Sequence, residues 1–256
     1  MRIELTLDHD SNHRFIPMDY QYYVSAWIYN VLRNADNDYA TFLHDFGYGK
    51  NTNHLYKLFC FSRLHFGKPK MWKEKKLFQI LNKQIYLKIS FNVNEAATNF
   101  IKGLFIDQRF YIGNKLNGID FFVKEVQILS EPDFSTTETY RTITPWVVSH
   151  KEEKDMYAQY LDPGHPLFIT YAVNHLAEKH NNLNENQVAT SDILLKVSSD
   201  YKRSGFLIKP GSKEETRVIG TLCDFTLTAP VVIHKMIWHA GLCEKSSLGF
   251  GWIEIK

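Results

Sequence analysis

Cysteine is scarce in this chain: three in 256 residues, Cys60, Cys223 and Cys243, far apart and without a C-x-x-C pair. That spacing offers neither a disulfide framework nor a thiolate zinc site, and it fits a reducing compartment. No apolar run approaches the ~20 residues that cross a bilayer. The opening "MRIELTLDHD" alternates polar and apolar residues where a signal peptide would carry an apolar core. A cytoplasmic protein with no membrane partner is expected. Charge of one sign is also missing, since 30 Lys and Arg face 28 Asp and Glu for a net charge of +2. With so weak an overall field, a polyanionic partner must be met by cations gathered locally. G-x-x-x-x-G-K-[ST], H-E-x-x-H and G-x-S-x-G are absent, so phosphate-loop hydrolysis, zinc proteolysis and a serine nucleophile elbow have no support. The acidic pairs Asp8 with Asp10, Glu152 with Glu153 and Glu214 with Glu215 have no histidines at ligand spacing and read as surface charge. No metal or cofactor is expected.

What is present is an ordered alternation of strand and helix patterns. "RIELTLD" alternates with period two and predicts a strand; "MDYQYYVSAWIYNVLRNA" spaces its apolar residues for a helix opened by Pro17 and Asp19. "HLYKLFCFSRLHF" and "KQIYLKISFNV" predict strands, "NEAATNFIKGLF" a helix behind Asn94, and "GIDFFVKEVQIL" a strand. Between the middle strands, "GKPKMWKEKK" sets Lys68, Lys70, Lys73, Lys75 and Lys76 around Trp72, the composition of a flexible basic loop able to reach phosphates and stack a base. After "SEPDFSTTET", whose proline, acids and hydroxyls suggest a linker, the order repeats. "YRTITPWVV", "HPLFITYAVNHLAEKH", "DILLKVSSD" and "TRVIGTLCDFTLTA" read as strand, helix, strand and strand. A last helix, "PVVIHKMIWHAGL", has Pro230 in its first turn and Gly241 at a left-handed cap, and "GWIEIK" is the final strand. Two βαββαβ units therefore predict an α+β fold of tandem ferredoxin-like domains, 1–130 and 131–256.

The closing "GLCEKSSLGFGWIEIK" is long and glycine-rich for a connection to one strand. Backbone N–H groups in such a turn can form a nest for a phosphate, with charge from Lys245 and donors from Ser246 and Ser247; the alternative is a connection whose glycines only permit positive φ. "GFGWIEI" also approaches the sheet motif with which RNA-recognition modules stack bases, although that motif belongs on a third strand and here precedes the chain's end.

These stretches resemble a known family. With "MRIELTLD…IPMDYQYYVSAWIYNVL" and "YATFLHDFGY…YKLFCFSRL", the ending follows the pattern G-x-x-E-K-x-S-L-G-F-G at Gly241, Glu244, Lys245, Ser247, Leu248, Gly249, Phe250 and Gly251. The whole chain is similar to the CRISPR-associated endoribonucleases that cut precursor CRISPR RNA within its repeats, members of the repeat-associated mysterious protein superfamily. The resemblance implies tandem ferredoxin-like domains, the first carrying the catalytic residues and the second the RNA-binding loop. It implies metal-independent cleavage by a His, Tyr and Lys set, leaving a 2′,3′-cyclic phosphate and a 5′-hydroxyl.

Such chemistry needs a group to take the 2′-hydroxyl proton, another to assist the leaving 5′-oxygen, and a cation to offset charge on the phosphorane. Carried over from the family, the general acid or base falls on His44, expected just after the first helix, with His54 its nearest competitor among 11 histidines. Tyr29 on the first helix would orient the hydroxyl or the histidine. Lys57 would stabilise the transition state, with Lys50 a substitute. Gly241, Lys245, Ser246, Ser247, Gly249 and Gly251 are expected to grip the RNA backbone, with phosphate contacts from Arg63, Lys68, Lys70 and Lys209. The expected partners are CRISPR repeat RNA, an effector complex and a second copy in a homodimer. Two rivals stand beside the nuclease: a non-catalytic repeat-RNA-binding subunit of an effector complex, and a scaffold of the same fold.

Overall fold

A computed structural model describes residues 1–9, 14–50, 55–151 and 157–256. His54, Asp10, Glu152 and Glu153 lie outside the described residues. The first half runs β1 (Arg2–His9), β2 (Phe15–Pro17), α1 (Gln21–Ala35), α2 (Asn37–Asp45), β3 (Phe59–Phe61), β4 (Lys70–Trp72), β5 (Leu77–Gln79), β6 (Gln84–Phe91), α3 (Asn94–Ile106), β7 (Arg109–Gly113) and β8 (Gly118–Leu129). The second half runs β9 (Thr137–Thr142), β10 (Val148–His150), β11 (Gln159–Leu161), α4 (Phe168–Leu183), β12 (Leu194–Ile208), β13 (Thr216–Thr228), α5 (Val231–Ala240) and β14 (Ile253–Ile255). The fold is α+β, with helices packed on antiparallel sheets.

The larger sheet has the order β3-β6-β1-β8-β7 and the second β12-β13-β9-β14. In each, the first strand lies centrally, with an antiparallel neighbour on either side: β1 between β6 and β8, β9 between β13 and β14. Alternation sets the faces. Ile3, Leu5 and Leu7 of β1 are buried under α1, whose Val24, Ile28, Val31 and Leu32 fall at helical spacing on the same core. α1 and α3 approach closely because residue 103 is glycine: a Cβ there would stand 1.9 Å from the Val31 carbonyl oxygen. A second core gathers α4 and α5 with Tyr140, Trp146 and Phe225. Among the described residues no helix is long and apolar enough to cross a membrane.

Several expectations change. Asp19 does not cap α1; its carboxylate accepts from the Leu207 N–H of β12 at 2.8 Å and joins the halves instead. The chain after α1 starts a second helix, because Asp36 turns out of helical geometry and its side chain accepts from Tyr39 N–H at 2.9 Å, an N-cap. The long second strand shrinks to β3. The basic "flexible loop" is the β4–β5 hairpin, which with β2 forms a three-stranded sheet. Gly241 ends α5 at φ +75° and ψ 162°, positive but not left-handed helical.

The halves are interlocked by buried polar groups as well as apolar ones. Arg2, 3% exposed, lies between the Trp238 and Trp252 rings, its carbon 3.3 and 4.0 Å from their centroids, and donates to the Trp238 and Ile253 carbonyls. Lys179, 2% exposed, donates to the Ala240 and Gly241 carbonyls at 3.1 and 2.9 Å, satisfying groups that α5 leaves open at its end.

Candidate active site

α1, α2 and β3 with the segment before it bring three side chains to one place. Tyr29 faces out of α1 toward β3, with its ring edge-on to Phe59 at 5.5 Å and to the His44 imidazole at 5.1 Å. His44 sits in the last turn of α2 rather than after α1, and remains open to solvent with 63% of its side chain exposed. Lys57 reaches back from the segment before β3 and donates to the His44 carbonyl at 2.5 Å and the Phe46 carbonyl at 3.0 Å. These are carbonyls that the end of α2 leaves without helical partners, so the ammonium both caps the helix and fixes the turn that aims His44.

The three groups sit in different environments. His44 Nδ1 and Asp45 Oδ1 are 2.7 Å apart. With Nδ1 donating its proton to Asp45, Nε2 is left as a lone-pair acceptor facing solvent, the form of imidazole that takes a proton. Burial pushes the Tyr29 phenol well above its ordinary pKa, with the Ser247 hydroxyl pulling the other way. The phenol is therefore neutral at any physiological pH and serves as a hydrogen-bonding group and ring support. Burial lowers the Lys57 pKa, with Asp45 opposing, which makes its ammonium a somewhat better acid than an exposed lysine. Among the described residues no three or more His, Cys, Asp or Glu gather as metal ligands would.

The glycine-rich segment forms the other side. A single 3-10 turn, Ser246–Leu248, lies against α1 and β3, and Ser25, one turn before Tyr29 on α1, donates to the Ser247 carbonyl at 2.7 Å. Gly249 crosses directly over Phe61 with φ +87°, where a Cβ would stand 2.5 Å from the ring. Gly241, Gly249 and Gly251 are buried, and Ser246, 4% exposed, donates to the Cys243 carbonyl at 2.6 Å. Its hydroxyl is thus turned inward, while Lys245, Ser247 and Leu248 keep part of their surface outward and Glu244 is exposed. The segment is a clasp pressed on the first half more than an open loop.

The other cations are spread wider. Arg63 borders a groove of about 740 Å³ shared with Gln21, Lys76, Phe206 and Arg217 of both halves. Lys70 is exposed on the β4–β5 hairpin and Lys68 in the segment just before it. Lys209 lies at the tip of the β12–β13 hairpin and is ion-paired to Glu214. Lys50 donates to the Asn184 carbonyl at 3.3 Å and so ties the halves, a position away from Lys57's role. Sequence reasoning missed Asp45 and Ser25. The adjacent His-Asp pair and the four-residue spacing of Ser25 and Tyr29 on one helix face were the available signals.

Comparison with known proteins covers nearly the whole chain. Residues 15–127 match the model of "CRISPR-associated protein Cas6, N-terminal" and residues 129–255 that of "CRISPR associated protein Cas6, C-terminal". The CRISPR-associated endoribonuclease Cas6 1 of Methanocaldococcus jannaschii is 29% identical over 259 residues, covering 99% of this chain and 92% of that protein. A solved "CRISPR associated protein Cas6" superposes with a TM-score of 0.73 at 29% identity, covering 100% of this chain and 99% of the other. A structure described as "An RAMP protein binding different RNA substrates" has the same fold, with a TM-score of 0.82 at 20% identity over 100% of this chain and 99% of that one.

Proposed function

The chain belongs to the Cas6 family of CRISPR-associated endoribonucleases, and from that membership we propose how its own residues cut RNA. Its activity is the processing of CRISPR repeat RNA. In our reading, His44 Nε2 takes the proton of the 2′-hydroxyl, whose oxygen attacks the adjacent phosphorus. The bond to the 5′-oxygen breaks, and that oxygen leaves with a proton from the Lys57 ammonium, which also offsets charge on the phosphorane. A 2′,3′-cyclic phosphate and a 5′-hydroxyl result, with no metal ion needed. Asp45 holds the His44 tautomer, and Tyr29 supports the ring and fixes Ser247. The single observation that carries this reading is the convergence of His44, Tyr29 and Lys57, from separate elements, beside the signature segment.

The RNA runs along the junction of the halves. Lys245 and Ser247 meet its backbone directly, while Gly241, Ser246, Gly249 and Gly251 shape the clasp that presents them. Arg63, Lys68, Lys70 and Lys209 add phosphate contacts; Lys209 must first exchange Glu214, a fully exposed partner easily displaced. The two halves, 1–130 and 131–256, are two ferredoxin-like units, the first holding the catalytic residues. The shared strand circuit and the meeting of the two family models between residues 127 and 129 support that division. Effector-complex membership and homodimer formation remain part of the same proposal. A repeat RNA carrying a single 2′-deoxynucleotide before the cut phosphate tests the chemistry: it should stay intact while the all-ribose repeat is cut. Cleavage of the deoxy-substituted strand at that phosphate would rule out 2′-hydroxyl attack.

A further inference from the structure

The β4–β5 hairpin carries a side chain that the cleavage chemistry does not use. Trp72 is 37% exposed and its neighbour Met71 58%. The indole is nonetheless held in place: its N–H donates to Gln79 Oε1 at 3.3 Å, and its ring meets Phe15 of β2 edge-on at 5.8 Å. The ammonium groups of Lys70 and Lys75 stand 5.0 and 5.7 Å from the ring centroid. Lys73 and Lys76 are also exposed on this hairpin and Lys68 just before it, with Glu74 the acid among them. The hairpin is pinned to the turn between β2 and α1 by a hydrogen bond from Met18 N–H to the Lys76 carbonyl at 2.9 Å. Gly67, Pro69, Lys76 and Phe78 line the groove between the halves.

We propose that this hairpin is a stacking station for an unpaired nucleobase of the RNA, with Trp72 as the platform and Lys70 and Lys75 as partners of the flanking phosphates. The inference rests on the RNA-processing reading above and adds a contact remote from the cut. From Tyr20 to Tyr29, α1 advances by about 14 Å, so a base on Trp72 lies well beyond the phosphate at His44. A fixed indole loses little freedom when a base covers it. Every base has a π-face, so the station holds RNA without reading its sequence, while the two lysines swing from the ring to the phosphates. An apolar protein partner would not match lysines crowded around the ring.

The test uses the full chain and its repeat RNA, with single-turnover cleavage measured against enzyme concentration. Trp72→Leu keeps apolar bulk against Phe15 but has no π-face. It should raise the half-saturating concentration about tenfold and leave the maximal rate unchanged. Trp72→Phe should stay within about threefold of wild type, while losing the part of the RNA-induced tryptophan quenching that Trp72 supplies. Lys70→Gln with Lys75→Gln should flatten the salt dependence of binding by about 1.4 in log–log slope, two phosphate contacts on a single strand. Unchanged half-saturation in Trp72→Leu, or quenching in Trp72→Phe equal to wild type, would overturn the station while cleavage upheld the parent reading. Wild-type protein that neither bound nor cut the repeat would sink both.

Discussion

Replacing Gly249 by alanine isolates the clasp on which the site depends. Residue 249 holds φ +87°, and an added Cβ would lie 2.5 and 2.7 Å from two carbons of the buried Phe61 ring. The backbone conformation costs a non-glycine residue about 1–2 kcal/mol, and forcing a methyl into a packed core costs about 1–3 kcal/mol more. Alanine recovers about 0.4–1 kcal/mol by restricting the unfolded chain. The net loss is on the order of 3 kcal/mol, or a fall in melting temperature of roughly 10 °C at this length. Gly211→Ala is the control, because Gly211 has φ +77° with nothing within 4 Å of an added Cβ. It should cost only the backbone part, about 1 kcal/mol. Calorimetry or urea unfolding of both variants reads the difference. Cleavage, assayed where Gly249→Ala is still folded, should fall as well, because the same segment carries Ser247 against Ser25 and Tyr29. A Gly249→Ala protein that melts within a degree or two of Gly211→Ala would refute the claim that the segment is pressed on Phe61.

Three further outcomes are expected. Burial lowers the Lys179 pKa to about 8. The unfolded chain therefore binds more protons between that value and the ordinary lysine range, and the folded state gains stability as pH rises through this window. Against Lys179→Met, which has nothing to titrate, wild-type urea stability should climb between pH 8 and 10.5, and a parallel pair of curves would contradict the burial of a charged amine. Arg2→Lys should destabilise by about 2 kcal/mol despite keeping the charge, since an ammonium cannot lie flat between two indoles while bonding two carbonyls; chemical denaturation at neutral pH measures it. Lys57→Met should slow single-turnover cleavage at least tenfold and change RNA affinity by less than threefold, whereas a loss confined to affinity would make Lys57 a binding residue only.

How far the sequence reached depended on which side chains it had to place. Strands with one buried face announced themselves by alternation, as in Ile3, Leu5 and Leu7 of β1, and α1 by the spacing of Val24, Ile28, Val31 and Leu32. β4 escaped because Lys70, Met71 and Trp72 are all exposed, so no alternation exists to be read. α2 escaped because it is short and follows α1 directly, although Asp36 in an N-cap position with Asp38 in the first turn was a legible start. His44, Tyr29 and Lys57, carried over by resemblance, do stand together. Their environments were not legible, since the high phenol pKa of Tyr29 and the carbonyl partners of Lys57 arise from burial and helix termination in three dimensions. Likewise Arg2 and Lys179, ordinary surface residues by type, are buried because the facing half supplies indoles and open carbonyls.

The central claim is that His44 performs the proton transfer of a metal-independent cut. Purified wild-type protein and His44→Ala, each incubated with end-labelled repeat RNA in excess EDTA and followed to defined product ends, test it most directly. The expected result is one EDTA-resistant cut leaving a 2′,3′-cyclic phosphate, slowed in His44→Ala by about 100- to 10,000-fold while RNA binding persists. Cleavage by His44→Ala at the wild-type rate, or wild-type cleavage abolished by EDTA, would contradict it.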